Sequence, residues 1–267
     1  PPHPLTYRAA LEAFLKEDWS TQDWTTAAVP DRPMQARVVA KADLVVAGLP
    51  VAREVFRLVD PELRLEAAAE DGQSLSKGQV AFELSGSSRA ILLGERVMLN
   101  LLQRLFGTAT LTKAFVDAVA GTGARILDTR KTTPGLKLLE KYAVRCGGGT
   151  NKRMGLYDVA MIKDNHKLAA GGLTAAYDSI RAAFPHVDIQ VEVTTTAEAL
   201  EAVAAGARFL LCDNMSTDLL RTTVDAVRAT GEYVEVEATG GLTLEVAAAY
   251  AATGVDYLSV GALTHSS

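Results

Sequence analysis

Residues 130–167 read RKTTPGLKLLEKYAVRCGGGTNKRMGLYDVAMIKDNHK, and the run just before them, ARILDT at 124–129, is short, apolar and β-branched. A strand-like run, a segment with helical spacing (GLKLLEKYAV) and a second strand-like run (VAMIK) open a strand-helix rhythm that decides the fold class. The stretch from Arg130 to Lys167 also holds nine Lys or Arg against three acids, Glu140, Asp158 and Asp164. The whole chain has 27 basic and 32 acidic residues, so 18 basic face 29 acidic outside the stretch. A basic cluster on an otherwise acidic protein suits a small polyanionic ligand better than nucleic acid. Gly147 to Gly149 and the Pro134-Gly135 pair allow close backbone approach. The glycine triplet is expected to cap the preceding helix.

Downstream the rhythm continues. DIQVEV, RFLLCD, YVEVEAT and DYLSVG alternate with AAYDSIRAAF, TAEALEAVAA, TDLLRTTVDAVRA and LEVAAAYAAT. Near-continuous apolar strands separated by helices predict a parallel α/β sheet. Polar or glycine residues sit at successive strand ends: Arg130 and Lys131, Lys163, Glu192, Asp213, Glu237 with Thr239, Gly240 and Gly241, and Gly261. That is the pattern the active-site face of an α/β barrel requires. Glycine turns after the last strands suit a phosphate group.

Upstream, residues 5–17 have helical spacing, 18–26 form a polar loop, 36–48 are strand-like, and Pro50 opens a short helix to about Val59. RLEAAAEDG and QVAFELSGSS are strand candidates in a small antiparallel α+β region. Residues 88–120 predict two helices joined near Gly107, with Glu95, Arg96 and Arg104 on a solvated face. The expected domains are 1–107 and 108–267. The length, 267 residues, suits one large or two smaller domains. Two cysteines, Cys146 and Cys212, give no disulfide framework and fit a reducing, cytoplasmic setting. No apolar run reaches the length of a membrane helix, and PPHPLTYRAALEAFLKEDW lacks the charged and apolar regions of a secretory leader.

The groups expected at one mouth are Arg130, Lys131, Arg153 and Lys163 as cations, with Glu192 and Asp213 as acids. Arginine forks suit carboxylates and lysine suits phosphate. Two carboxylates suit ribose hydroxyls or Mg²⁺. Zinc spacing, a Walker A sequence and a GxGxxG fingerprint are all missing.

DTRKTTPGLKLLEKYAVRCGGGTNKRMGLYDVAMIKDNH resembles the signature of the quinolinate phosphoribosyltransferases, also called nicotinate-nucleotide pyrophosphorylases (carboxylating). ERVMLNLLQRLFGTAT, VEVTT, LLCDN, EATGG and DYLSVGALTHS extend the resemblance over most of the chain, with residues 1–35 weakest. It implies an N-terminal α/β sandwich domain, a C-terminal open α/β barrel carrying most of the active site, and a homodimer with composite sites. It implies transfer of a phosphoribosyl group from phosphoribosyl pyrophosphate to quinolinate, with Mg²⁺ and loss of CO₂. By resemblance, Arg130, Arg153 and Lys163 hold the quinolinate carboxylates, and Arg96 comes from the neighbouring subunit. Lys131, Glu192 and Asp213 hold the donor and its Mg²⁺, and Thr239, Gly240, Gly241 and Gly261 form the 5′-phosphate loops. Lys131, Lys163, Glu192 and Asp213 are the expected catalytic set.

Three positions depart from the family pattern. Lys152 stands where a histidine usually precedes the arginine of GGGxNHR. Thr239 replaces the serine of EASGG. Residues 17–26, EDWSTQDWTT, lack both glycines of EDxGxGDxTT. Lys152 is counted among the substrate-binding residues and is expected at the mouth's rim, leaving the reaction unchanged. In the other reading it touches the substrate and favours a more anionic acid. A phosphoribosyltransferase for a different aromatic acid and a non-catalytic sugar-phosphate-binding barrel remain the alternatives.

Overall fold

The computed structural model describes residues 1–267. After a 3₁₀ turn at Pro4–Thr6 come α1 (Arg8–Trp19), α2 (Trp24–Ala28), β1 (Pro33–Val39), β2 (Leu44–Val45) and α3 (Leu49–Val59). Then follow β3 (Arg64–Ala67), β4 (Ser74–Leu75), β5 (Val80–Ser87), α4 (Ser88–Ala118), β6 (Arg125–Leu127) and α5 (Lys137–Cys146). The remainder alternates: β7 (Ala160–Ile162), α6 (Asp164–Ala170), α7 (Leu173–Ala183), β8 (Ile189–Val193), α8 (Thr196–Ala204) and β9 (Phe209–Asp213). It closes with α9 (Thr217–Ala229), β10 (Glu235–Thr239), α10 (Leu244–Ala251), β11 (Tyr257–Ser259) and α11 (Ala262–His265). No helix is long and apolar enough to cross a membrane.

By packing, the chain forms two compact units, each gathered from separate segments. Unit 1 comprises Pro1–Lys113, Thr132–Gly148 and Leu263–Ser267, and unit 2 comprises Ala114–Lys131 and Gly149–Ala262. α5, which reads in the sequence as a helix of the barrel rhythm, thus belongs with the N-terminal elements. Its Leu139 and Ala143 lie in the same buried cluster as Leu11, Phe56, Phe82 and Leu102.

In unit 1 an antiparallel sheet of order β1-β5-β3 stands beside the β2-β4 pair. Asp23 caps α2 by accepting from the Thr26 amide at 3.0 Å, so helix begins inside the stretch read as a loop. α4 is one helix of 31 residues, not two helices meeting at Gly107. A mid-helix glycine costs about 1 kcal/mol against alanine. α4 runs through Gly107 without a break, carried by the buried Leu105, Phe106 and Ala109 on either side. The glycine triplet does cap α5: the Gly147 amide donates to the Ala143 carbonyl and the Gly148 amide to that of Arg145, both at 3.0 Å.

Arg104 is not on a solvated face. Its Nε donates to Oε1 of Glu140 at 3.0 Å, and Glu140 is fully buried. The guanidinium also donates to the Ser267 carbonyl at 3.1 Å, to Thr133 Oγ1 at 3.3 Å and to the Thr264 carbonyl. Glu140 Oε2 accepts from the Thr133 amide at 2.9 Å. One ion pair therefore joins α4, the loop before α5 and the chain's last residues, all within unit 1.

In unit 2 the parallel sheet has the order β6-β11-β10-β9-β8-β7. β6 and β7 form its two edges. Only an isolated parallel bridge, Leu127 to Thr150, continues it beyond β6, so the barrel is not closed. All six predicted strands are present. Side chains alternate across the sheet. Val191, Leu210, Val236 and Leu258 are fully buried on one face. The other face is mixed and carries the acids: Glu192 is in register with Leu211, Leu211 with Glu237, and Asp213 with Thr239.

Breaking the Arg104–Glu140 pair leaves a buried charge without its partner. Arg104→Ala is expected to lower the unfolding free energy by about 3–5 kcal/mol, and adding Glu140→Leu to recover much of that loss. Urea unfolding of the single and double variants measures both. Losses that simply add would show that the two side chains are not coupled.

Candidate active site

The carboxy ends of the parallel strands gather the candidate groups in unit 2. Lys163 directly follows β7, Glu192 lies in β8, Asp213 ends β9, Thr239 ends β10, and Gly261 follows β11. Arg130 and Lys131 follow β6 and are exposed. Lys163 Nζ lies 3.9 Å from Glu192 Oε2, with about half of the lysine side chain open to solvent. Burial raises the pKa of Glu192 above the usual carboxylate range. Lys163 opposes that shift, while the charges of Asp213 and Asp164 add to it. The two carboxylates therefore feel one another across adjacent strands.

Beyond Asp213 the backbone turns sharply. Asn214 takes a positive φ of 51°, and its amide donates to the Thr239 carbonyl at 3.0 Å. Gly240 has a φ of +99°, and a Cβ on it would sit 2.3 Å from Asn214 Oδ1. Only glycine satisfies both conditions, which leaves bare backbone at the end of β10. A hard cation at this edge would have Glu192 and Asp213 as its protein ligands. No three His, Cys, Asp or Glu side chains form a ready-made cage. A pair of carboxylates suits Mg²⁺ that takes its remaining oxygens from substrate phosphates and water.

A network of bonds lies beside these groups, and sequence reasoning missed it. Glu198, in the first turn of α8, accepts from the Thr194 amide at 2.8 Å and from Lys167 Nζ at 3.0 Å. Lys167 also donates to Asp164 at 2.9 Å. α6, which carries Lys167 directly after Lys163, was not expected as a helix. The available signal was the four-residue spacing of Lys163 and Lys167, which helical geometry places one turn apart.

The open seam of the barrel is organised by Asp128, just past β6. It is fully buried and accepts from Asn151 Nδ2 at 2.6 Å and from the Lys152 amide at 2.7 Å. These bonds direct residues 151–153 along the seam. Arg153 is half-buried, and its Nη1 donates to the Val159 carbonyl at 2.7 Å. Burial, and then the nearby charge of Arg130, lower its pKa from the usual guanidinium value. Two cations held this close favour an anion between them.

Lys152 is not at the rim. Its side chain is only 13 % exposed, and its Nζ donates to Glu237 Oε1 at 2.6 Å, on a carboxylate with no exposure. The second Glu237 oxygen accepts from Gln190 Nε2 at 2.6 Å. The rim expectation fails because β10 offers Lys152 a buried counter-charge that spacing along the chain does not reveal. Glu237 was noticed as a strand-end residue without a role. Its negative charge adds to burial in pushing the Cys212 thiol up to about 12. Arg96, the remaining candidate, is exposed on α4 in unit 1.

This arrangement can be set beside known proteins. Residues 23–106 match the description "Quinolinate phosphoribosyl transferase, N-terminal domain", and residues 108–267 match its C-terminal domain. The chain is 44% identical over 264 residues to the probable nicotinate-nucleotide pyrophosphorylase [carboxylating] of Bacillus subtilis (strain 168), covering 98% of this chain and 90% of that protein. It is 42% identical over 266 residues to the nicotinate-nucleotide pyrophosphorylase [carboxylating] of Mycobacterium leprae (strain TN), covering 98% and 92%. The crystal structure of NadC from Streptococcus pyogenes superposes with a TM-score of 0.95 at 38% identity, covering 100% of this chain and 94% of that one. Both halves of the chain match the family and its fold superposes on that structure, and the chain belongs to the quinolinate phosphoribosyltransferase family.

Proposed function

We propose that this chain transfers the phosphoribosyl group of phosphoribosyl pyrophosphate to the ring nitrogen of quinolinate, releasing pyrophosphate and CO₂ and leaving nicotinate mononucleotide. This is a step of de novo NAD biosynthesis. The observation that carries the reading is the succession of Lys163, Glu192, Asp213, Thr239 and Gly261 along five adjacent strand ends of one sheet. Anion binding alone needs no carboxylates. A mouth that sets two carboxylates beside lysines and arginines suits a substrate pair with a ribose, phosphates and a dicarboxylic acid. The alternative of a non-catalytic barrel leaves Glu192 and Asp213 without a purpose.

Arg130, Arg153 and Lys163 grip the two carboxylates of quinolinate and so point its ring nitrogen at the sugar carbon. Glu192 and Asp213 orient the ribose and would hold Mg²⁺, which supplies charge neutralisation of the departing pyrophosphate when bound. Lys131 stabilises the same leaving group as positive charge builds on the ribose ring. Thr239, Gly240, Gly241 and Gly261 present backbone and hydroxyl donors to the 5′-phosphate. Alkylation makes the ring nitrogen cationic, and that charge stabilises the carbanion left when CO₂ departs, which takes a proton from water to give the product. The route requires no side-chain nucleophile. Two free thiols fit a cytoplasmic location.

Purified protein given quinolinate, phosphoribosyl pyrophosphate and Mg²⁺ is expected to form nicotinate mononucleotide and CO₂, and to need all three. Product from another aromatic acid, with none from quinolinate, would transfer the assignment to that acid.

The two lysines have separable jobs. Lys163→Ala is expected to weaken aromatic-acid binding, and Lys131→Ala to weaken donor binding. Each loss is about tenfold or more, since a hydrogen bond to a charged group contributes about 1.5–3 kcal/mol. Titrating each variant with each ligand separately checks the assignment. Equal losses toward both ligands in both variants would contradict it.

Arg96 is proposed to complete the site of a second copy in a two-fold dimer. Mixing Arg96→Ala protein with Lys163→Ala protein is then expected to restore activity, because one site of each mixed dimer carries neither lesion. No recovery, with subunit exchange demonstrated, would remove Arg96 from that role.

A further inference from the structure

We propose that Lys167 and Glu198 are positioning residues for the acid-binding lysine. Their ion pair ties the turn after β7 to the turn after β8, and so holds Lys163 in its place beside Glu192. The inference rests on the proposed reading of Lys163 as a holder of the quinolinate carboxylates.

β7 is an edge strand of three residues, and its pairing with β8 ends at Ile162 opposite Val191. Lys163 and Glu192 come next, just past that ladder. Glu192 is supported from its other side, because β8 stays in register with β9 through Glu192 opposite Leu211 and Val193 opposite Cys212. Lys163 has no second strand to lean on. Its backbone belongs to α6 instead. The Lys163 amide donates to His166 Nδ1 at 3.0 Å, and its carbonyl accepts from the amides of His166 at 2.8 Å and Lys167 at 3.0 Å. Where α6 goes, Lys163 goes with it.

α6 has seven residues, too few to hold a helix without tertiary support. Such helices ordinarily dock through apolar side chains. Here Leu168 is 83 % exposed, and the only buried residue of α6 is Lys167. The Lys167 ammonium donates to Asp164 Oδ1 at 2.9 Å and to Glu198 Oε1 at 3.0 Å. Asp164 lies on the same helix, so Glu198 is the partner that links Lys167 to another element. Glu198 Oε2 accepts from both the amide of Thr194, at 2.8 Å, and its hydroxyl, at 3.0 Å. Thr194 stands two residues after Glu192. A path of bonds thus runs from the Lys163 carbonyl through Lys167, Glu198 and Thr194 to the strand end that bears Glu192. With that path in place, Lys163 Nζ lies 3.9 Å from Glu192 Oε2, close enough for attraction and too far for a hydrogen bond. The ammonium keeps its donors for a substrate carboxylate.

The sign of one substitution separates this role from a simple field effect. Glu198 is an anion near a site proposed to bind an anion. If only its charge mattered, removing it would tighten quinolinate binding. If it positions Lys163, removing it loosens binding. Glu198→Gln keeps the side chain's shape. It replaces one acceptor oxygen by an NH₂ group, so it cannot accept from both Lys167 and Thr194 in this geometry.

Calorimetric titrations with quinolinate, and separately with phosphoribosyl pyrophosphate and Mg²⁺, are made on the unaltered protein, Glu198→Gln, Lys163→Ala and the double variant. Glu198→Gln is expected to weaken quinolinate binding about fivefold or more, and donor binding by less than about twofold. In the Lys163→Ala background it is expected to cause no further loss toward quinolinate, because its effect passes through Lys163.

Unchanged or tighter quinolinate binding in Glu198→Gln overturns the proposal. So does an equal loss in the Lys163→Ala background, which a general loosening of the fold would produce. Should Glu198→Gln fail to fold, Lys167→Met cuts the same tie from α6 and leaves Glu198 bonded to Thr194. It is expected to weaken quinolinate binding only where Lys163 is present, and a loss independent of Lys163 overturns the proposal. A Lys163→Ala protein that binds quinolinate as tightly as the unaltered one would instead overturn the reading of the mouth, and the proposal with it.

Discussion

A parallel sheet leaves the carboxy ends of all its strands on one edge, and the chemistry of unit 2 follows from that constraint. No strand has to be bent to bring Lys163, Glu192, Asp213 and Thr239 to the same edge. Each is the last residue, or nearly so, of a strand whose direction it shares with its neighbours. Register adds the finer order. Asp213 is paired with Thr239, so the acid proposed to face the donor and the hydroxyl proposed for the phosphate turn are cross-strand neighbours. The tight turn at Asn214 and Gly240 is a consequence, because the chain must leave the edge there without covering it.

Buried charge is the second constraint, and it is met in two ways. Glu140 has no exposure and is neutralised by Arg104, which spends its other donors on carbonyls from the chain's end. That pair is structural. It explains why residues 132–148 belong with the N-terminal elements, although in sequence they lie among the barrel strands. Glu237 is equally buried, and it meets the Lys152 ammonium on one oxygen and Gln190 Nε2 on the other.

Much of this was legible in the sequence. The strand-helix rhythm predicts all six barrel strands, because apolar runs buried on one face leave a strong periodic signal. The strand-end residues could be named because barrel geometry converts chain position into spatial position. What stayed hidden depends on long-range partners. Gly107 reads as a helix break, and the helix is unbroken because Leu105, Phe106 and Ala109 around it are buried against the rest of the core. Arg104 has the spacing of a solvated face, and the fully buried Glu140, 36 positions away, makes it a half-buried anchor. Lys152 is separated from Glu237 by 85 positions, so no local pattern could show that its charge points inward.

The departure of this chain from its family's pattern can then be weighed by charge. Exchanging histidine for lysine adds a permanent cation to a region that already brings Arg130 and Arg153 together. Left at the mouth, that cation would repel them whenever the site is empty and would attract any polyanion without discrimination. Directed inward to Glu237, it adds no net charge at the edge, and Asp128 fixes the backbone that makes this direction available. The basic cluster seen in the sequence is thus divided in the fold. Lys152 and Lys167 are committed to internal carboxylates, while Arg130, Lys131, Arg153 and Lys163 lie along the seam and strand ends where the substrates are proposed to bind. A high local density of lysine and arginine therefore overstates the charge a ligand meets. The acids that offset it lie on neighbouring strands and helices, where only the fold brings them close.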